Sequence, residues 1–89
     1  MNKDLQHLIV NCEKEMKNHN PTPLRVCVLL KRLIEEKTIS NIIDLKELIE
    51  DHSQYLLREP NFGRTSFRYL KEKMYSMFKF NTIVQVERI

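Results

Sequence analysis

The residues best suited to binding an anion lie in one short stretch, 60–67, with the sequence Pro-Asn-Phe-Gly-Arg-Thr-Ser-Phe. It holds the chain's only glycine, Gly63, and it opens with Pro60 and Asn61, two residue types that favour tight turns. Apolar residues at helical spacing precede and follow the stretch, so it predicts a turn between two helices. Because glycine adopts a positive φ freely, Gly63 is expected to close this turn.

The start of the second helix of this hairpin would offer several hydrogen-bond donors. The first backbone amides of a helix have no partner within it, and the helix dipole makes this end positive. Arg64 adds a positive charge, and Thr65 and Ser66 add hydroxyl groups. A helix start of this kind can hold a nucleic-acid phosphate without reading the bases. The simpler alternative is a turn that only connects two packed helices.

The composition fits a small helical protein with a positive region. The chain has 89 residues, of which 42% are hydrophobic, and this allows one domain with a modest core. One glycine and three prolines favour helices over a many-turned β sandwich. The net charge is +3, but its distribution is uneven: residues 35–51 hold six acids and two bases, whereas residues 64–79 hold five bases and one acid. The second hairpin helix is therefore the expected centre of positive charge.

Several functional classes find no support in the residue pattern. The three histidines are scattered, and Cys12 and Cys27 lie in apolar helical patterns, so we expect no metal site, no cofactor and reduced core thiols. Adjacent acids such as Glu35 and Glu36 do not face each other on a helix, so acid–base catalysis is not indicated. The missing catalytic and metal patterns predict a protein that is not an enzyme. No signal peptide or membrane-spanning apolar run is apparent, which predicts a cytoplasmic protein, and the start at Met1 favours a standalone chain.

Hydrophobic periodicity and capping residues predict the other helices. Asn2 is expected to cap an amphipathic N-terminal helix within 1–19. Thr22 would cap a mostly apolar central helix over 23–36, with Pro23 at its first position. Ser40 or Asp44 would cap a third helix, with Asp44 and Glu47 in a capping box.

The remaining segments complete the predicted architecture. Ser53 would cap a brief helix that enters the hairpin, and the second hairpin helix is expected over 64–78. The tail, 80–89, is β-branched and nearly alternating, which predicts a short strand that could pair with a second copy of the chain and so form a homodimer. The expected fold is all-α, with four to five helices in a domain over 22–79, an extra N-terminal helix and a strand-like tail.

With these segments in place, the chain resembles the C-terminal domain of the bacterial RNA polymerase alpha subunit. The resemblance rests on two stretches. The hairpin stretch, 56–71, reads Leu-Leu-Arg-Glu-Pro-Asn-Phe-Gly-Arg-Thr-Ser-Phe-Arg-Tyr-Leu-Lys, and the looser stretch, 22–31, reads Thr-Pro-Leu-Arg-Val-Cys-Val-Leu-Leu-Lys. The resemblance implies a helical fold with a helix-hairpin-helix-like element that binds DNA upstream of promoters.

The resemblance also implies which residues contact double-stranded DNA. Arg25 stands where the family places an arginine in the minor groove, and hairpin residues of the family contact the DNA backbone. Carried onto this chain, the family contacts fall on Arg25, Asn61, Gly63, Thr65 and Ser66. Three basic residues near these positions, Lys31, Arg64 and Arg68, complete the set of predicted DNA-binding residues. RNA polymerase or transcription regulators are the implied protein partners.

Three positions depart from the family pattern. Val28 replaces a groove-facing asparagine, Thr65 replaces a lysine, and Tyr69 replaces an acidic residue. Val28 and Tyr69 would make that face more apolar. The sequence therefore supports two functional hypotheses: a DNA-binding module in transcription, or a protein–protein interaction module that keeps the fold without DNA binding.

Overall fold

The structure is a computed structural model that describes residues 2–16 and 21–78. All regular secondary structure in these two ranges is helical, which confirms the predicted all-α class. The five helices are α1 (Lys3–Glu15), α2 (Pro21–Glu35), α3 (Ile42–Asp51), α4 (Ser53–Leu57) and α5 (Arg64–Phe78). The predicted strand over 80–89, and the homodimer that depended on it, lie outside the described residues.

The first helix follows the sequence pattern closely. The side-chain oxygen of Asn2 accepts hydrogen bonds from the amides of Asp4 at 3.0 Å and Leu5 at 3.3 Å, as expected of an N-cap. The apolar positions at helical spacing form its buried stripe: Leu5, Leu8, Ile9 and Cys12. Local capping and one apolar face therefore account for α1.

The central helix begins two residues before the predicted first position, Pro23. α2 starts at Pro21, so the prediction that Thr22 caps it and Pro23 occupies the first position is wrong. Both prolines fit because amides of the first turn have no partner within the helix, and a missing N–H there breaks no bond. At the other end Lys37 adopts a positive φ of 62°, and the amide of Thr38 donates to the carbonyl of Leu33 at 2.9 Å. This left-handed cap ends α2.

The cap of α3 is shifted from its predicted position. Asn41, rather than Ser40 or Asp44, is the N-cap, and its side chain accepts from the amide of Asp44 at 2.9 Å. The Asp44 carboxylate reaches back to the amide of Ser40 at 2.8 Å and to its hydroxyl at 2.9 Å. These bonds lower the pKa of Asp44 below its usual value. The proposed box between Asp44 and Glu47 is thus wrong, because Asp44 acts as the third helical residue of a box that opens at Asn41.

Replacing Asn41 with alanine should lower the free energy of unfolding by about 1 kcal/mol, since the amide of Asp44 loses its acceptor. Glu47→Ala is the matched control and should change stability by less than about 0.5 kcal/mol, because Glu47 is exposed. Urea denaturation of both variants measures the two values. An equal loss in the two variants would contradict the assignment of Asn41 as the cap.

The short helix α4 lacks the predicted side-chain cap. Ser53 is its first helical residue and His52 is the residue before it, with no side-chain hydrogen bond to the helix start. Backbone bonds instead close its far end, where the amides of Arg58 and Glu59 donate to the carbonyls of Gln54 and Leu56 at 3.1 Å. α4 is therefore held by its place between α3 and the turn.

One hydrophobic core joins all five helices. α1 and α5 both pack against α2, α1 also contacts α5, and α4 contacts both α3 and α5. The buried apolar residues include Leu5 and Leu8 of α1, Leu30 and Leu33 of α2, Leu45 of α3, Leu56 of α4 and Leu70 and Met74 of α5. Cys12 and Cys27 are free and buried in the same core, as predicted. The N-terminal helix thus shares the core of the segment over 22–79.

Candidate nucleic-acid interface

The turn between α4 and α5 takes its unusual backbone angle at Asn61. Asn61 has a φ of 62°, whereas Gly63 does not have a positive φ, so the expectation that Gly63 supplies the left-handed residue is wrong. Asparagine can take this role because its short polar side chain tolerates the left-handed region. A Cβ atom placed on Gly63 would meet no heavy atom within 4 Å. The fold therefore does not require a glycine at position 63.

The start of α5 presents open donors, as the sequence predicts. The carbonyl of Gly63 accepts from the amide of Phe67 at 3.0 Å, which makes Gly63 the residue just before the helix. Within residues 2–16 and 21–78, no acceptor bonds to the amides of Gly63, Arg64 or Thr65. These three residues are exposed, and the first turn of α5 contains no acid. An anion placed here would meet unpaired amides and the positive end of the helix dipole.

Ser66 differs from its neighbours in exposure. Only 1% of its surface is exposed, because it lies on the side of α5 that faces the core. The expectation that its hydroxyl contributes a phosphate donor therefore does not fit the packing.

Arg25 and Asn61 both line a groove between the first turns of α2 and the turn that joins α4 to α5. This groove is called here the α2–turn groove. Its volume is about 480 Å³, and it is lined by Pro21, Leu24, Arg25, Val28, Leu29, Arg32, Glu59, Pro60, Asn61 and Phe62. Arg25 is exposed and forms no ion pair with any residue that the structure describes. The first turn of α2, like that of α5, contains no acid. The α2 side of the groove is therefore a helix start without acids, whereas the side of the turn includes Glu59.

The same groove has an apolar floor. Leu24 and Val28 are 50% and 60% exposed, which is high for large apolar side chains. Arg32 spans the groove by pairing with Glu59 of the turn, and its Nε lies 4.0 Å from Glu36. The sequence analysis did not select Arg32 or Glu59, because they are 27 positions apart and no local pattern links them. This pair fixes the turn against α2 and so sets the width of the groove.

Lys31 lies on a different side of α2. Its ammonium group pairs with Glu13 of α1 at 3.2 Å. Six positions separate Lys31 from Arg25, and with 3.6 residues per turn this places the two side chains roughly a third of a turn apart. Lys31 therefore lies outside the α2–turn groove, and its contact with DNA stays a prediction.

Arg64 and Arg68 line a second depression, called here the α5 hollow. Its lining residues are Leu57, Arg64, Phe67, Arg68, Lys71, Glu72 and Tyr75. The predicted DNA-binding residues thus fall mainly on two surfaces. Arg25 and Asn61 line the groove, Arg64 and Arg68 line the hollow, and the start of α5 lies between them in the chain.

Lys73 has a structural role that the charge pattern alone did not predict. It pairs with Glu15 of α1 and donates to the side chain of Asn11 at 2.7 Å. Tyr69 also donates its hydroxyl to Glu15. The bond from Lys73 and then that from Tyr69 lower the pKa of Glu15, whereas burial and the bond to Glu15 raise the pKa of Tyr69. The cluster ties α1 to α5.

The aromatic and thiol groups are used in packing. Tyr69 and Tyr75 pack against the core, which leaves their rings poorly placed for stacking on bases. Burial, followed by the proximity of Cys27, raises the pKa of the Cys12 thiol to about 12, which opposes thiolate chemistry. Among the described residues, no three His, Cys, Asp or Glu side chains come together as a metal-binding group.

Comparisons of the chain with protein-family models, curated proteins and solved structures find no match. None of the helices in the described ranges has the length and apolar character needed to cross a membrane. The assignment of function therefore depends on the geometry of the two surfaces and on the motif resemblance.

Proposed function

We propose that the protein is a non-enzymatic DNA-binding module that acts in transcription and contacts the backbone and minor groove of duplex DNA. The observation that carries this proposal is the environment of Gly63. This glycine stands in open space before a helix start whose amides have no partner among the described residues, and the packing does not require it. Since the packing does not need a glycine at position 63, a ligand that approaches the backbone closely would explain why glycine occurs there.

The electrostatics of this side support a polyanionic ligand. The starts of α2 and α5 carry the positive ends of two helix dipoles, and neither first turn has an acid to offset them. Arg25 and Arg64 add two exposed guanidinium groups. Arginine suits this task because it stays charged and presents several donors to phosphate oxygens.

In the proposed complex, the amides of Gly63, Arg64 and Thr65 hold a phosphate of one strand. Arg25, across the groove from Asn61, reaches into the minor groove, where acceptor atoms and the narrow width favour a cation. The contacts are mostly to the backbone, so the affinity should depend weakly on sequence and strongly on salt.

Arg25→Ala should lower the affinity for a short duplex by roughly tenfold at low salt, because a charged hydrogen bond worth about 1.5–3 kcal/mol is lost. Fluorescence anisotropy with a labelled duplex, repeated over a range of salt concentrations, measures the effect. Lys31→Ala is the matched control: it removes the same charge from the same helix, but on the side that faces Glu13. Unchanged affinity in Arg25→Ala, with circular dichroism showing an intact fold, would remove Arg25 from the interface.

A second candidate function is a protein–protein interaction module, and the exposure of Leu24 and Val28 in the groove favours it. An apolar floor flanked by arginines fits a protein segment as well as it fits DNA. By the resemblance, the partner would be a polymerase component or a transcription regulator, and a second copy of the chain is the other choice. The salt titration separates the two functions: no DNA binding near physiological salt would favour the second.

A further inference from the structure

The α5 hollow carries more positive than negative charge, because three cations, Arg64, Arg68 and Lys71, line it together with one acid, Glu72. Arg64, Arg68 and Lys71 occupy positions i, i+4 and i+7, which lie along one side of a helix. All three are exposed, and none pairs with a carboxylate of any residue in 2–16 or 21–78. By contrast, Lys73 lies on another side of α5 and forms an ion pair with Glu15 of α1. Only the outward cations of α5 are therefore available to a ligand.

The floor of the hollow is apolar and held in place. Leu57 is exposed at the end of α4, and the rings of Phe67 and Tyr75 are half-buried against the core. Tyr75 donates its hydroxyl to Glu50 of α3 at 2.8 Å, and the ammonium of Lys71 lies 5.9 Å from the centre of its ring. These contacts fix the aromatic wall before any ligand arrives.

A sugar–phosphate backbone combines apolar deoxyribose carbons with regularly spaced, negatively charged phosphates, which suits a surface with an apolar floor and a row of cations. The seven residue-to-residue intervals from Arg64 to Lys71 rise about 10 Å along the helix. Successive phosphates of one strand advance about 3.4 Å along the duplex axis, so the three cations extend over the length of roughly three phosphates. The deoxyribose carbons can pack on Leu57 and Phe67, while the phosphates face the cations.

We infer that the α5 hollow is a second backbone-binding surface, which continues the DNA contact from the start of α5 along its outer side. This inference rests on the proposed DNA-binding function and adds Lys71, Leu57 and Phe67 to the interface. Because Arg64 lies at both the helix start and the hollow, the two contacts form one track along the same stretch of DNA.

The test compares the double variant Arg68→Gln/Lys71→Gln with Lys14→Gln/Lys37→Gln, which removes two exposed cations outside the hollow. The dissociation constants for a labelled 20-base-pair duplex and for the corresponding single strand are measured against salt concentration. Loss of two phosphate contacts should reduce the slope of log K against log salt by about 1.8 for the duplex, or about 1.4 for the single strand, and lower the affinity roughly tenfold. The DNA form whose salt slope and affinity fall, duplex or single strand, is the form that the hollow binds.

A salt slope that is the same in the hollow variant and in the control pair, for both DNA forms, would overturn the inference while leaving the proposed function intact. If the unaltered protein binds neither DNA form at any salt concentration, both proposals fail. A Leu57→Ser variant provides a second measurement that leaves the charge unchanged. It should weaken binding without altering the salt slope, and full affinity in this variant would exclude the apolar floor from the contact.

Discussion

Replacing Gly63 with alanine should lower the affinity for duplex DNA by about ten- to a hundredfold while the protein stays folded. The added methyl group would stand at the mouth of the helix start, in the space where a phosphate must approach the amides of Gly63, Arg64 and Thr65. Loss of a hydrogen bond to a charged group is worth about 1.5–3 kcal/mol, and each 1.4 kcal/mol is about a factor of ten in affinity.

The stability of the Gly63→Ala variant is what makes this test specific. Gly63 lacks a positive φ, and a Cβ atom there would meet nothing within 4 Å, so the folded state accepts alanine. Alanine restricts the unfolded chain, which favours folding by about 0.4–1 kcal/mol, but it is less favourable than glycine just before a helix. These two effects oppose each other, so stability should change by less than about 1 kcal/mol. Urea denaturation together with DNA binding by anisotropy measures both quantities.

Asn61→Ala provides the contrasting control in the same turn. Alanine would have to hold the left-handed φ of 62°, and this should cost about 1 kcal/mol of stability. If Gly63→Ala instead lost clearly more than about 1 kcal/mol, the glycine would have a structural role beyond its place before the helix. If it kept both stability and full DNA affinity, no phosphate would approach the backbone at this turn.

Leu8→Ala should destabilise the whole protein by about 2–5 kcal/mol, the range for truncating a fully buried leucine. Leu8 has no exposed surface and belongs to the core shared by all five helices. Since small domains have total stabilities of about 5–15 kcal/mol, the loss would be a large share of the total. Unfolding should remain a single transition when followed by circular dichroism and by tyrosine fluorescence.

Val10→Ala is the matched control for Leu8→Ala, because it truncates a neighbouring side chain of α1 that is 38% exposed. It should cost about 1 kcal/mol or less, since a partly exposed side chain loses little buried area. A small effect of Leu8→Ala, or a separate early transition, would mean that α1 is an appendage to the domain. A large effect in one transition would mean that the functional domain begins at α1 rather than at residue 22.

The sequence by itself determined the helical class and most of the helix limits. Regular apolar spacing, one glycine and recognisable caps such as Asn2 leave few alternatives to helices, since these signals act within a few residues along the chain. The limits of α5, Arg64–Phe78, were predicted for the same reason. Errors at the caps were shifts of one to three residues, at Pro21 and Asn41, where several neighbouring residues could have capped the helix.

The tertiary structure decided which charged residues remain available to a ligand. Nothing in the sequence distinguishes the basic residues over 64–79 from one another. Packing of α1 against α5 nevertheless pairs Lys73 with Glu15, whereas Arg64, Arg68 and Lys71 line the exposed hollow. The tertiary structure also pairs Lys31 with Glu13, joins Arg32 to Glu59 and places Arg25 and Asn61 in the lining of one groove. These outcomes depend on which helices pack together and at what rotation, and residues far apart in the chain carry no local signal of that arrangement.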